Sequence, residues 1–320
     1  MRGVFLGGRL SLGDAGDPLC GTTHADPCMF KVQFIRMAPK PRPKGVTMTE
    51  NGIGGRIKDA VVGVLKGAGE VVQGAADATR DAVVGALQGV GDVAGAVAST
   101  TGEVVKGAVS AVGEVGAGTF DTLKGVVIGV VKGVGEVATV TVGTISDIVR
   151  AAVKGTADVG GDVTSAAGGI AEGLITATND TGISVTEGAS ALGRSAIHGV
   201  KDVGGDVIGA SSNTVAGAIK GAESIGADAL DAVRNTAKGL VSGAGDVGAD
   251  VVDVTRGAIS GAISGAKEVG LGVEDAASAA ATGALEAAES IGESAVHAVR
   301  DVAASGVDGV KAVIKGNKET

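Results

Sequence analysis

Residues 239–260 read GLVSGAGDVGADVVDVTRGAIS, and residues 261–282 read GAISGAKEVGLGVEDAASAAAT. Both segments have glycine at the first position, an acid at the eighth and valine at the ninth. The same spacing of 22 residues continues almost without interruption from about Ala60 to the C terminus. A fixed period of this length indicates a repeat architecture.

The first position of the repeat is small in every unit. It is occupied by Gly63, Gly85, Gly107, Gly129, Ala151, Gly173, Ser195, Gly217, Gly239, Gly261, Gly283 and Ser305. Seven residues later the column is mostly acidic, from Glu70 to Glu268, and the next column is mostly valine. The repeat therefore predicts the shape and the surface chemistry of the protein, but it does not indicate a reaction.

Each unit divides into two halves of 11 residues, since Gly63 corresponds to Gly74 and Glu70 to Asp81. Eleven residues make three turns at 3.67 residues per turn, close to a straight α-helix. On that helix lysines and acids share a narrow face, and Val, Ile, Leu and Ala fill most of the remaining arc. The pattern predicts an all-α fold of long Gly/Ala/Val-rich amphipathic helices, extended or folded back as hairpins. Strand propensity around 137–142 is the weaker alternative.

Charge spacing also favours helix. Lys66/Glu70, Lys132/Glu136 and Lys154/Asp158 are spaced i,i+4, and Asp77/Arg80, Asp121/Lys124, Asp231/Arg234 and Asp253/Arg256 are spaced i,i+3. Such pairs within one helix contribute about 0.2–0.5 kcal/mol each. We therefore expect them to support the helices only slightly.

Glycine opposes an isolated helix. The chain has 58 glycines, of which only seven precede Met48, and each costs about 1 kcal/mol relative to alanine in a helix interior. Either the helices pack closely through small faces, or the chain stays disordered until it meets an apolar surface. Small-xxx-small spacing predicts the helix-contact positions. These are Gly63, Gly67, Gly85, Gly89, Gly129, Gly133, Gly217, Gly221, Gly239, Gly243, Gly261 and Gly265.

The chain divides into two regions by composition. Residues 1–47 contain all five prolines and no repeat, and we interpret them as a disordered leader or as mis-assigned upstream sequence, with Met48 as the true start. Residues 48–320 form the repeat region. Its glycine-rich part at 160–195, which includes Gly160-Gly161 and Gly168-Gly169, is the predicted hinge.

Charge and hydropathy exclude several classes of function. Residues 48–320 hold 20 basic and 33 acidic residues, whereas nucleic-acid binding needs a basic surface. The most apolar window, 125–145, contains Lys132 and Glu136. Because charges return in this way, we expect the chain to lie on a surface rather than span a membrane.

The motifs with chemical meaning are weak. Gly243 to Gly248 satisfy G-x-G-x-x-G, but the repeat generates near copies of that pattern, whereas a dinucleotide fingerprint occurs once, after a strand. His198 and His297 each precede an aspartate by four residues and are expected to be polar-face residues. Cys20 and Cys28 have only His24 between them, and these residues do not supply the four ligands of a structural zinc site. We predict no catalytic residue, no cofactor and no metal site, and hence no enzyme.

Two segments resemble known repeat families. Residues 130–137, VVKGVGEV, look like the Lys/Glu/Gly/Val 11-residue repeats of synucleins, and residues 235–246, NTAKGLVSGAGD, look like the repeats of perilipins. The 11-residue period is also similar to that of late-embryogenesis-abundant (LEA) proteins. The resemblance covers Ala60 to about Lys315 and is one of period and composition. It implies a chain that becomes helical on lipid surfaces or on drying.

The sequence therefore predicts a non-enzymatic structural protein whose amphipathic repeats associate with lipid or apolar surfaces or with each other. One alternative is an LEA-like soluble stress or desiccation protectant, and another is a self-assembling helical bundle or filament. The expected partners are a lipid or apolar surface or the chain itself, with no nucleic acid and no transmembrane span. The expected location is cytoplasmic, free or peripheral to a membrane or lipid body.

Overall fold

The computed structural model describes residues 55, 58, 59 and 62 and the ranges 71–88, 93–115 and 119–312. These residues belong to one compact unit, Met48–Thr320. The predicted leader, residues 1–47, lies outside the described residues. Eleven helices occupy the three described ranges: α1 (Val71–Gln88), α2 (Val93–Val115), α3 (Thr119–Val137), α4 (Val142–Asp158), α5 (Val163–Thr178), α6 (Val185–Asp202), α7 (Val207–Ser224), α8 (Ala229–Val247), α9 (Val251–Val269), α10 (Val273–Ile291) and α11 (Glu293–Ser305).

The prediction of an all-α fold with helices folded back as hairpins is confirmed. Residues 137–142, for which strand was the weaker alternative, contain the end of α3, a short connection and the start of α4, so no strand forms there. The helices contain 13 to 23 residues. They are shorter than a continuous 11-residue pattern would allow, because one 22-residue unit makes one helix and one turn.

A glycine with positive φ ends most units from α4 onwards. These residues recur every 22 positions, at Gly160, Gly182, Gly204, Gly226, Gly248, Gly270 and Gly292. At Gly248, with φ 62°, the chain leaves α8, and the next amide, on Ala249, donates to the Ala244 carbonyl at 2.9 Å. This is the Schellman arrangement, which satisfies carbonyls left free at the helix end and favours glycine because it needs left-handed backbone.

An acid begins several of the helices. The side chains of Asp162, Asp206, Asp228 and Asp250 each accept a hydrogen bond from the backbone amide two residues later. Aspartate is among the best residues at this N-cap position, because the first amides of a helix have no partner within it. Gly248 therefore ends α8, and Asp250, two residues later, begins α9.

The helices form two layers. In one layer α1, α3, α5, α7 and α9 lie side by side, and in the other α2, α4, α6, α8 and α10 do, while α11 packs on α9 and α10. From α3 onwards, consecutive helices are joined by short turns and run in opposite directions. Each helix from α1 to α10 has its most extensive contacts with a helix two units away in its own layer, and that neighbour is parallel to it.

The core between the layers is aliphatic. Its largest fully buried side chains are Leu87, Leu123, Ile145, Ile148, Ile170, Leu174, Ile175, Leu192, Ile197, Ile219, Leu240 and Ile259. Alanine and valine occupy most of the remaining buried apolar positions. Because these side chains are small, neighbouring helices approach closely and the glycine content is accommodated by packing.

No helix in the described ranges is long and apolar enough to cross a membrane. Residues 160–195, the predicted hinge, contain two turns, all of α5 and the start of α6. Gly168 and Gly169 are inside α5 and buried against neighbouring helices, where a Cβ would come within 2.8 Å of the Phe120 ring or meet the Phe120 carbonyl oxygen at 2.5 Å. The hinge itself stays a prediction.

Candidate functional site

The feature repeated most regularly is a glycine where two parallel helices of one layer meet. A Cβ on Gly173 of α5 would lie 2.6 Å from the Lys124 carbonyl oxygen of α3. The same overlap would occur between Gly217 and Gly168, and between Gly261 and Ser212. The partners are 49 residues apart in each case, so the helices are parallel and in a constant register. Only glycine permits this backbone approach.

Eight of the twelve predicted contact glycines lie at such crossings between helices. They are Gly129, Gly133, Gly217, Gly221, Gly239, Gly243, Gly261 and Gly265, and at each a Cβ would come within about 3.0 Å of a neighbouring helix. Gly85 has no atom within 4 Å of a Cβ position. Gly63, Gly67 and Gly89 lie outside the described residues.

Several crossing glycines were not among the predicted positions. Gly173 and Gly283 belong to the first column of the repeat, so the sequence carried a signal for them. Gly193 of α6 also meets backbone, with a Cβ position 2.7 Å from the Leu240 amide nitrogen. It lies outside that column, and only the packing of α6 on α8 identifies it.

Ion pairs join helices across the same contacts. The Lys124 amino group donates to Glu172 at 2.5 Å, Lys132 bonds Asp180 at 2.8 Å, and Lys220 bonds Glu268 at 2.5 Å. In each pair the acid is 48 residues after the base, on the next helix of the layer or just after its end. Thus the expected pairing within helices is wrong for Lys124 and Lys132. Among the predicted pairs with both side chains described, Asp253 and Arg256 form one, at 3.7 Å.

In the second layer, two bases converge on one acid. The Arg194 guanidinium donates to Asp246 at 2.5 Å, and His198 Nε2 lies 3.3 Å from the same carboxylate. Arg234 and Lys238 share Glu286 in the same way. His198 therefore faces Asp246 of α8, not the aspartate four residues along its own helix.

Hydrogen bonds to two aspartates, Asp246 and Asp162, favour the charged forms of their carboxyl groups. The hydrogen bond from Arg194 lowers the pKa of Asp246, and the hydrogen bond from the Ser165 hydroxyl lowers the pKa of Asp162. Both effects stabilise the fold, since one acid links α6 to α8 and the other caps α5.

Among the described residues the most buried acid is Glu172, which is 8% exposed. Lys124 neutralises it across the α3–α5 contact. Nearby, the Lys220 ammonium lies 5.5 Å from the centre of the Phe120 ring, which is a cation–π contact between α7 and α3. This group of side chains ties three parallel helices together.

The surface grooves follow the helix contacts. One groove of about 400 Å³ is lined by Leu230, Asp231 and Arg234 of α8 and by Glu274, Asp275 and Thr282 of α10. Its guanidinium is already bonded to Glu286. No cluster of His, Cys, Asp and Glu suited to a metal ion occurs among the described residues.

The glycine motif at 243–248 has a structural place. Gly243 meets the Arg194 carbonyl oxygen, with a Cβ position 2.9 Å from it, and Gly248 makes the turn after α8. The motif forms the C-terminal end of α8 and does not follow a strand, so the context of a dinucleotide site is missing.

Comparison with known proteins adds no assignment. The chain matches no protein-family model, and no curated protein matches it in sequence.

Proposed function

We propose that this is a non-enzymatic structural protein whose repeats associate with one another, each adding one helix to a two-layered stack. The observation that carries the proposal is the backbone contact at Gly173, Gly217 and Gly261, repeated at one register along a layer. Such backbone contacts form only when the helices pack against each other. The product is a scaffold whose length is set by the number of repeats.

Burial favours association between repeats over coating of a lipid surface. The aliphatic residues that would enter a lipid surface are in the core. Among the residues whose exposure the structure describes, the exposed large hydrophobic residues lie at or next to the ends of helices. They are Val142, Val159, Ile208 and Ile291. Binding of the repeats to lipid would therefore require the helices to leave the stack. Under this proposal lipid coating and LEA-like protection are the alternatives to be tested.

The ion pairs support the same proposal. A base on one helix meets an acid 48 or 52 residues later, so charge is arranged for the helix two units along the chain, which is its neighbour in the layer. Charges placed for a lipid headgroup or a small ligand would need no such register. Pairs of this kind are individually weak at a surface but select one alignment of parallel helices over a slipped one.

The test is far-UV circular dichroism together with sedimentation of the full chain in buffer, with and without neutral or anionic vesicles. We expect strong helix without lipid, one discrete sedimenting species and no gain of helix with vesicles. Helix that forms only on vesicles would overturn the proposal in favour of a surface coat. Helix that forms only on drying would favour the protectant, and large heterogeneous species would favour a filament.

A matched pair of variants sharpens this test. Gly217 meets the Gly168 carbonyl of α5, whereas the Cβ position of Gly102 in α2 has no atom within 4 Å. If the repeats pack on one another, Gly217→Ala lowers the unfolding midpoint and Gly102→Ala raises it. Separate helices on lipid have no such contact, so both alanines would then raise helix content alike.

A further inference from the structure

One column of the repeat differs between the two halves of the second layer. The first position of the repeat is Ala151 in α4 and Ser195 in α6, but Gly239 in α8 and Gly283 in α10. Gly239 meets the Ser190 carbonyl, and Gly283 meets the Arg234 carbonyl, at distances that exclude any side chain. Ser195 instead carries a side chain and is 2% exposed. Ser195 therefore has a buried side chain at the position where Gly239 and Gly283 meet backbone.

The glycine one turn after the first position of the repeat shows the same difference between α8 and the helices α4 and α6. A Cβ on Gly243 would meet the Arg194 carbonyl oxygen at 2.9 Å, so α8 touches the backbone of α6. At Gly199, the equivalent residue of α6, the three nearest atoms all belong to the Val153 side chain, at 3.1 to 3.5 Å. At Gly155 of α4 the nearest atom is Val109 Cβ at 3.3 Å. The nearest atoms at both positions are therefore side-chain atoms, and the one backbone atom among them, the Lys106 Cα beside Gly155, is 3.7 Å away.

The charges at the two contacts differ in the same direction. Arg194 and His198 reach Asp246, and the residues 44 positions earlier are Arg150, Lys154 and Asp202. All three are exposed, and within the described part of the chain no ion pair joins either base to Asp202. The same charges are thus present between α4 and α6, but the bridge is not made.

We infer that α4 is held less tightly than α8 and α10 and that the stack opens along the α4–α6 seam, defined by Arg150, Val153, Ser195, Gly199 and Asp202. At this seam the first position of the repeat is Ser195 instead of glycine, and the nearest atoms at Gly199 belong to a side chain instead of the backbone. No ion pair between described residues joins Arg150 or Lys154 to Asp202. Val142, 49% exposed, and Val159, 39% exposed, lie at the two ends of α4 and mark where burial is incomplete. The inference rests on the proposed self-packing of the repeats.

The experiment is hydrogen exchange of the full chain, read by mass spectrometry on peptides within 142–158 and 229–247. Exchange of a helix amide reports the local opening that frees it. We expect α4 to exchange about tenfold faster than α8. Equal protection of the two helices would overturn the inference. Uniformly unprotected amides throughout the chain would instead contradict the proposed self-packing.

Two variants test the cause. Ser195→Gly removes the side chain at the crossing, and we expect it to slow the exchange of α4 several-fold, although glycine is the poorer helix former. Ser242→Gly in α8 is the matched control, because it has the same propensity cost away from the seam, and it should slow nothing. Faster exchange of α4 in Ser195→Gly would refute the assigned role of Ser195.

A third variant tests whether an ion pair can form between Asp202 and Arg150 or Lys154. Asp202→Asn should leave the exchange of α4 unchanged in the natural chain, where no bridge exists. In the Ser195→Gly background the same change should restore faster exchange, because the helices are then close enough for Arg150 or Lys154 to reach Asp202. An equal effect of Asp202→Asn in both backgrounds would show that Ser195 does not control the bridge.

Discussion

Replacing Gly173 by alanine tests the packing of parallel helices most directly. The Cβ would lie 2.6 Å from the Lys124 carbonyl oxygen and 3.1 Å from the Lys124 Cα. An ordinary contact needs about 3.4 Å, so α5 must move from α3 by roughly 0.8 Å, enough to lose about a quarter to a half of the dispersion energy of each affected atom pair. Both obstructing atoms are backbone and cannot rotate away.

The magnitude follows from two opposing effects. Overpacking costs about 1–3 kcal/mol, and the gain in helix propensity from glycine to alanine recovers up to about 1 kcal/mol. The movement also lengthens the 2.5 Å bond between Lys124 and the nearly buried Glu172. We therefore expect Gly173→Ala to lower the free energy of unfolding by about 1–2 kcal/mol.

Gly85→Ala is the matched control. Gly85 occupies the same column of the repeat, four units earlier, and has open space around its Cβ position. The alanine there should raise the free energy of unfolding by about 0.5–1 kcal/mol. Urea unfolding followed by far-UV circular dichroism compares the two. A Gly173→Ala protein that matches Gly85→Ala in stability would refute the backbone contact.

Three further predictions concern the turns, the core and the ion pairs. Gly248→Ala places a Cβ at φ 62° and should cost about 1–2 kcal/mol, whereas Gly248→Asn should cost less in the same urea titration; equal losses would contradict the left-handed turn. Thr236→Val removes a buried hydroxyl that has no hydrogen-bond partner and should raise the free energy of unfolding by about 1 kcal/mol; a lower urea midpoint would show that the hydroxyl is used. Because the Arg194 hydrogen bond lowers the pKa of Asp246, the stabilisation from Asp246 is complete above the unfolded aspartate value of about 3.9 and is lost as the pH falls through the lower native pKa. The gap in urea midpoint between the natural chain and Asp246→Asn should therefore be larger at neutral pH than in acid, and a constant gap would contradict this coupling.

Much of the local structure could be predicted from the sequence. The spacing of apolar and charged residues indicates helix because it depends on contacts three or four residues apart. The turn signal was also present, since Gly204 and Gly248 stand 44 residues apart and each is followed two residues later by the capping acid Asp206 or Asp250. The 11-residue sub-period concealed it by favouring longer continuous helices.

The candidate contact positions were only partly predictable. Glycine at position 217 or 261 is compatible with a helix crossing or with a flexible chain, and local sequence does not distinguish them. Gly85 shows the difference, because it has the same repeat position and no neighbour. Charge pairing was less predictable still: Lys132 has Glu136 within reach on its own helix but bonds Asp180.

By itself the sequence determined the helical class, the 22-residue unit and the small faces, because these arise from residues close together along the chain. Only the tertiary structure decided that helices two units apart pack in parallel, and so which glycines touch backbone and which acid each base reaches. The physical reason is that partners 48 or 49 residues apart meet through the stacking register of whole helices. The register is therefore a property of packed surfaces, not of any one repeat.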